Sequence, residues 1–136
     1  MWFSKKQAAQ PTEQITTKRR GDAAEALACT YLTAQGLRLV EANFNTPGRG
    51  GGEIDLVMRT PDGTLVFVEV RQRSTASHGG AGGSITYAKQ RRIIFAARHY
   101  LMRFASLPPC RFDVVLVQGP VGAHTIEWLQ AAFNAP

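Results

Sequence analysis

A mixed central β-sheet with helices packed on it, an α/β domain, is the fold predicted for this 136-residue chain. Three observations predict it. Apolar residues recur at helical spacing in two separate segments. Four or five short apolar runs of strand type follow the first of them, bounded by Gly/Pro turns. The second helical segment stands between strands, where a crossover would sit, so the sheet is mixed and not purely antiparallel.

The elements follow in order. Residues 1–17 are polar, contain Pro11 and show no period; they are set apart as a tail and a candidate for disorder, with a single domain over 18–136. From Gly21, "GDAAEALACTYLTAQG" places Ala24, Leu27, Ala28, Tyr31 and Leu32 on one stripe, and Gly36 stops the helix. "LRLVEANFN" alternates as a strand, and "TPGRGGG" is a loop. Residues 53–59 and 64–71 form a strand pair joined by the turn "TPDG". Residues 74–84, "STASHGGAGGS", make a flexible Gly-rich loop. A second helix runs from about Tyr87 to Phe104, with Thr86 as N-cap and "LPPC" as its stop. "RFDVVLVQG" is a further buried strand, and "HTIEWL" returns as a short one. The order is α-β-β-β-α-β-β.

Composition narrows the function classes. Sixteen Lys+Arg against ten Asp+Glu give a net charge of +6, compatible with a polyanionic partner. Cys29 and Cys110 are too few for a disulfide framework or a cysteine zinc site. No run reaches the ~18 apolar residues of a membrane span. The N-terminus lacks the apolar centre of a signal peptide, so a cytoplasmic protein without a membrane partner is expected.

Two acids stand out. Asp55 and Glu69 each interrupt an apolar strand, where desolvation disfavours a charge most. Alternation puts Leu65, Phe67, Glu69 and Arg71 on one face of their strand. In the neighbouring strand it groups Ile54, Leu56 and Met58 against Glu53, Asp55 and Val57. Asp55 and Glu69 can then meet at one spot. Either a divalent cation, Mg²⁺ or Mn²⁺ for oxygen-only ligands, or a salt bridge to an arginine such as Arg71 would relieve them. Spacing alone leaves both open.

"GGEIDLV" followed by "VFVEVR" resembles the PD-(D/E)XK nuclease signature, an Asp opening one strand and Glu-X-Lys in the next. Together, "KRRGDAAEALACTYLTAQG", "NFNTPGRGGGEIDLVMR", "LVFVEVRQRS", "GGSITYAKQRRIIFAARHYL" and "CRFDVVLVQG" resemble the YraN-like family of bacterial endonuclease-like proteins over about residues 18–133. The resemblance implies a restriction-endonuclease-like fold, similar to that of archaeal Holliday-junction resolvases. It also implies metal-dependent phosphodiester hydrolysis of structured DNA, with Asp55, Glu69 and, from the first helix, Glu25 as metal ligands. A junction-cutting enzyme needs two active sites, which makes a homodimer a candidate assembly.

The pattern breaks at Arg71, which stands where the signature has Lys. An arginine fork can clamp phosphate but does not give up its proton to act as a base. Lys89, one turn before Ile93 on the side of Ala96, Ala97 and Tyr100, is a candidate substitute or else an ordinary surface lysine. Lys18, Arg19, Arg20, Arg49, Arg73, Arg91, Arg92, Arg98 and Arg103 are candidates for sequence-independent backbone contacts, or simply solvated charges. The rival function, favoured by Arg71, is a catalytically silent nucleic-acid- or partner-binding module on the same fold.

Overall fold

A computed structural model describes residues 12–48, 51–73, 85–120 and 122–135, with side chains from Gly21 onward. The elements are α1 (Thr12–Ala34), β1 (Arg38–Asn45), β2 (Glu53–Arg59), β3 (Leu65–Arg73), α2 (Tyr87–Leu101), β4 (Cys110–Gln118) and β5 (Thr125–Phe133). This is the α-β-β-β-α-β-β order expected. α1 differs: it begins at Thr12, well ahead of Gly21, so residues 12–17 are helical. The added turns, "TEQITTKRR", carry no apolar stripe, and periodicity could not find them. α2 starts where its N-cap predicts, with the Thr86 hydroxyl accepting from the Lys89 amide at 3.1 Å.

The five strands lie in spatial order β1-β2-β3-β4-β5. β1–β2, β2–β3 and β4–β5 are antiparallel. β3–β4 is parallel, with α2 as the crossover between them. α1 covers one face, where Ala24, Ala28 and Leu32 pack on Leu56, Met58, Val66, Val68, Val115 and Val117. α2 covers the other, where Ile93, Ala96, Ala97 and Tyr100 pack on Ile54, Val57, Leu65, Phe67 and Phe112. β3 therefore has apolar residues on both sides, the pattern of a central strand.

The faces of β2 correct the sequence reading at one residue. Ile54 packs with Val57 on the α2 side, not with Leu56 and Met58 on the α1 side. The slip falls at Asp55. The β2–β3 register runs from Arg59↔Leu65 to Leu56↔Val68 and stops there. Beyond it, the Val70 amide donates to the Asp55 Oδ2 at 2.8 Å, so a side chain takes over from the backbone ladder. The sheet parts at this point.

Two further contacts hold the frame. Asp113 on β4 is completely buried and accepts from Arg111 Nε at 3.0 Å, Trp128 Nε1 at 2.9 Å and the Ala131 amide at 2.9 Å. It sits at a shift in the β4–β5 register between Phe112 and Val114, and it holds Ala131 in the left-handed region, φ 51°. At the start of β2, Gly52 lies so close to α2 that a Cβ there would collide with the backbone carbonyl of Arg92.

Candidate functional site

The site forms where β2 and β3 part. Asp55 comes from β2 and Glu69 from β3. Glu69 follows Leu65 and Phe67 on the α2 side and is 8% exposed. Lys89, in the first turn of α2, reaches it with Nζ 3.7 Å from the Glu69 Oε2. Glu25, from α1, closes the other side, within hydrogen-bonding reach of Asp55. Secondary structure thus brings four elements and four charged side chains to one end of the sheet.

The acids perturb one another. The Asp55 carboxyl is pushed up to about 7, first by burial and then by the Glu69 charge, against the Val70 amide, which lowers it. Glu69 is also raised, by burial, with the charges of Lys89 and Arg71 opposing. A hydrogen bond between Asp55 and Glu69 couples the two carboxyls, and both are raised by burial. Burial and the charges of Asp55 and Glu53 raise Glu25 as well, against a hydrogen bond from Asn43. These are the shifts expected where like charges are desolvated together.

Asn43 is a site residue that sequence reasoning missed. Its Nδ2 donates to Glu25 Oε1 at 3.0 Å and to Glu53 Oε2 at 3.3 Å. It adopts φ 54° within β1, a conformation that Asn tolerates better than most residues. Only the residue type inside a strand-like run could have signalled it. A cavity of about 420 Å³ between α1 and β1 opens beside it, lined by Glu25, Cys29, Leu39 and Asn43 among others.

The donor set consists of carboxylate oxygens, which suits a hard divalent cation. Among the described residues no group of three or more His, Cys, Asp or Glu is placed to hold a metal as it stands; Glu25 is turned toward Asn43. The residues still fit Mg²⁺, which keeps several waters and is typically held by one or two carboxylates together with substrate phosphate.

The predicted basic residues divide. The Arg71 charge reaches Glu69. Arg73 has its Nε buried and without a hydrogen-bond partner among the described residues. Arg91 and Arg92 are exposed on α2. Arg103 is engaged within the fold, 3.3 Å from Glu41 and over the Tyr100 ring at 3.7 Å. The side chains of Lys18, Arg19 and Arg20, together with Arg49 and the loop 74–84, lie outside the described residues. Among the described residues no helix is long and apolar enough to cross a membrane.

Residues 24–117, the span that carries Glu25, Asn43, Asp55, Glu69, Arg71 and Lys89, match the model of Uncharacterised protein family UPF0102. The UPF0102 protein of Polaromonas naphthalenivorans is 67% identical, with 99% of each chain covered. That of Polaromonas sp. strain JS666 is 68% identical, again over 99% of each. That of Albidiferax ferrireducens is 64% identical over 91% of this chain and 94% of its own. With likeness of this extent along its whole length, the chain belongs to the UPF0102 family, the YraN-like family that its sequence blocks resemble.

Proposed function

We propose that this protein is a divalent-metal-dependent phosphodiesterase of the PD-(D/E)XK type, acting on structured DNA. The observation that carries the reading is the meeting of Asp55 and Glu69 at the parting of the sheet, beside Glu25 and Lys89. Desolvated carboxyls that repel one another do nothing for the fold, and a cation between them would relieve the conflict. Asp55, Glu69 and Glu25 would hold Mg²⁺ or Mn²⁺. When bound, the cation supplies a Lewis acid for the phosphoryl group and activates water. The chain's own residues do the rest. The Val70 amide fixes the orientation of Asp55. Lys89 brings an ammonium to the carboxylate edge, where it can neutralise charge that develops on a phosphate. Arg71 offers a fork of donors to the phosphate oxygens.

The test is a panel of flap, junction, duplex and single-stranded DNAs incubated with Mn²⁺ or Mg²⁺, the parent beside Asp55→Ala. Cleavage by the parent and none by the variant is expected. Arg71 at the lysine position favours the rival, a silent binding module, and binding without cleavage at saturating DNA would establish that rival instead.

Arg71→Lys restores the residue the nuclease signature has at this position. It is expected to raise the single-turnover rate on the order of tenfold, at the lower edge of what acid–base assistance contributes. Lys89→Ala is expected to cost more in the parent than in the Arg71→Lys background, because Lys89 stands in only while the strand lacks a lysine. Equal losses in the two backgrounds would remove Lys89 from that role.

A further inference from the structure

The solvent face of α2 is not explained by the acid site. Tyr87 is 69% exposed and Phe95 45% exposed, large rings that a helix ordinarily turns inward. They alternate with cationic and imidazole groups at four-residue steps. Arg91 lies over the Tyr87 ring at 5.7 Å, and Phe95 stands 4.9 Å from the His99 ring. Flat groups therefore follow one another along the helix at 87, 91, 95 and 99. A cavity of about 530 Å³ runs beside them, lined by Tyr87, Arg91, Phe95 and Arg98 with Asn134 and Ala135 after β5. A second, of about 350 Å³, opens on the other flank of Arg91 and Phe95 and includes Arg92. The helix contains no acidic residue.

We propose that this face of α2 is a track for single-stranded nucleic acid, with the Tyr87 and Phe95 rings stacking bases and Arg91 and Arg92 meeting phosphates. The proposal rests on the reading of the protein as acting on nucleic acid, and it names the form of strand that α2 takes. Three arguments select a single strand. Exposed aromatics interleaved with Arg form the stacking platform that unpaired bases use. Tyr87 and Phe95 stand eight residues apart, about 12 Å along the helix, more than the ~3.4 Å between stacked bases in a duplex strand, so bases meeting the two rings must be splayed. Continuity supports it too: Lys89, in the first turn of the same helix, pairs with Glu69, so a strand on α2 leads to the acids. A duplex would present its backbone to the arginines and leave the rings unused.

The test measures anisotropy of a labelled twenty-nucleotide oligo(dT) and of a duplex of the same length, in EDTA at low salt so that nothing is cut. Tyr87→Ala and Phe95→Ala are each expected to weaken oligo(dT) binding about fivefold to a hundredfold, the span of single base–aromatic stacks. Duplex affinity should move less than about twofold. Phe95→Trp should bind at least as tightly as the parent. The ring variants should keep the parent's salt dependence, whereas Arg91→Ala should lower the slope by about 0.7. Both rings are exposed, so parent-like melting of the alanine variants accompanies these results.

Unchanged oligo(dT) binding in both ring variants would overturn the proposal. So would equal losses on duplex and single strand, absence of oligo(dT) binding at low salt, or displacement by polyglutamate as effective as by unlabelled oligo(dT). Cleavage with Mn²⁺, assayed in parallel, separates the two readings. Ring-dependent binding without cleavage keeps the track and removes the phosphodiesterase. Cleavage with ring-independent binding does the reverse.

Discussion

The metal-free protein is expected to lose stability on the order of 4 kcal/mol as pH rises from about 4 to above 7, and Asp55→Asn is expected to abolish most of that loss. The Asp55 carboxyl moves from 3.8 in the open chain to about 7 in the fold, and each pH unit is worth about 1.4 kcal/mol. Between these values the folded protein keeps a proton that the unfolded chain has released, so stability falls with pH. The contribution is complete below 3.8 and gone once pH has risen through about 7. Glu69, raised as well, acts in the same direction. Asparagine does not titrate, and its amide oxygen can still accept from Val70. At pH 8 in EDTA the variant should therefore be the more stable protein. Mn²⁺ should close that gap, because a ligand at a thousand times its Kd adds about 4.1 kcal/mol to the parent and finds one carboxylate fewer in the variant. Urea unfolding at pH 5 and pH 8, with EDTA and with Mn²⁺, measures all of this. A parent without a pH slope, or a cation that stabilises both proteins equally, would contradict it.

Asp113→Ala is expected to cost about 3–5 kcal/mol, the range for removing one partner of a buried ion pair. Its carboxylate is fully buried and accepts from three separate groups, one of them the Ala131 amide. Without it the Arg111 guanidinium, the Trp128 indole and that amide lose their acceptor together. Trp128→Phe removes one donor and should cost about 1 kcal/mol beyond its packing. Ala131→Gly should go the other way, gaining about 1 kcal/mol by relieving a left-handed alanine. A urea midpoint for Asp113→Ala within about 1 kcal/mol of the parent would show that the carboxylate does not hold β5.

Much of this architecture is legible in the sequence because local signals agree with the tertiary solution. Thr86 and Lys89 mark the start of α2, and the β3 run from Leu65 to Val70 reads as central because both faces are apolar. The legible part stops where a side chain replaces a backbone partner. Ile54 changes face because Asp55 binds the Val70 amide, an event that strict alternation cannot express. The first turns of α1 escaped because nothing in "TEQITTKRR" is periodic. Asp113 carried the same signal as Asp55 and Glu69, an acid inside an apolar run, yet reads only as strand until Trp128 and Ala131 are seen to converge on it. Asn43 left no pattern at all, since its two acceptors come from elements on either side of it in the chain. Arg103, read as a backbone contact or a solvated charge, lies against Glu41 and Tyr100.

Gly52 sets a mechanical limit on the cleft. Its backbone rests against the carbonyl of Arg92, with room for a hydrogen and for nothing larger. The spacing between the strand that bears Asp55 and the helix that bears Lys89 is thus fixed by main chain against main chain, a contact that no choice of rotamer can loosen. Repacking the core can alter how firmly the helix is held, but not how near it comes. Variants meant to widen the cleft would have to leave this span alone and change what surrounds its mouth, in the way a vice with a fixed jaw is adapted only by what is placed on its lips.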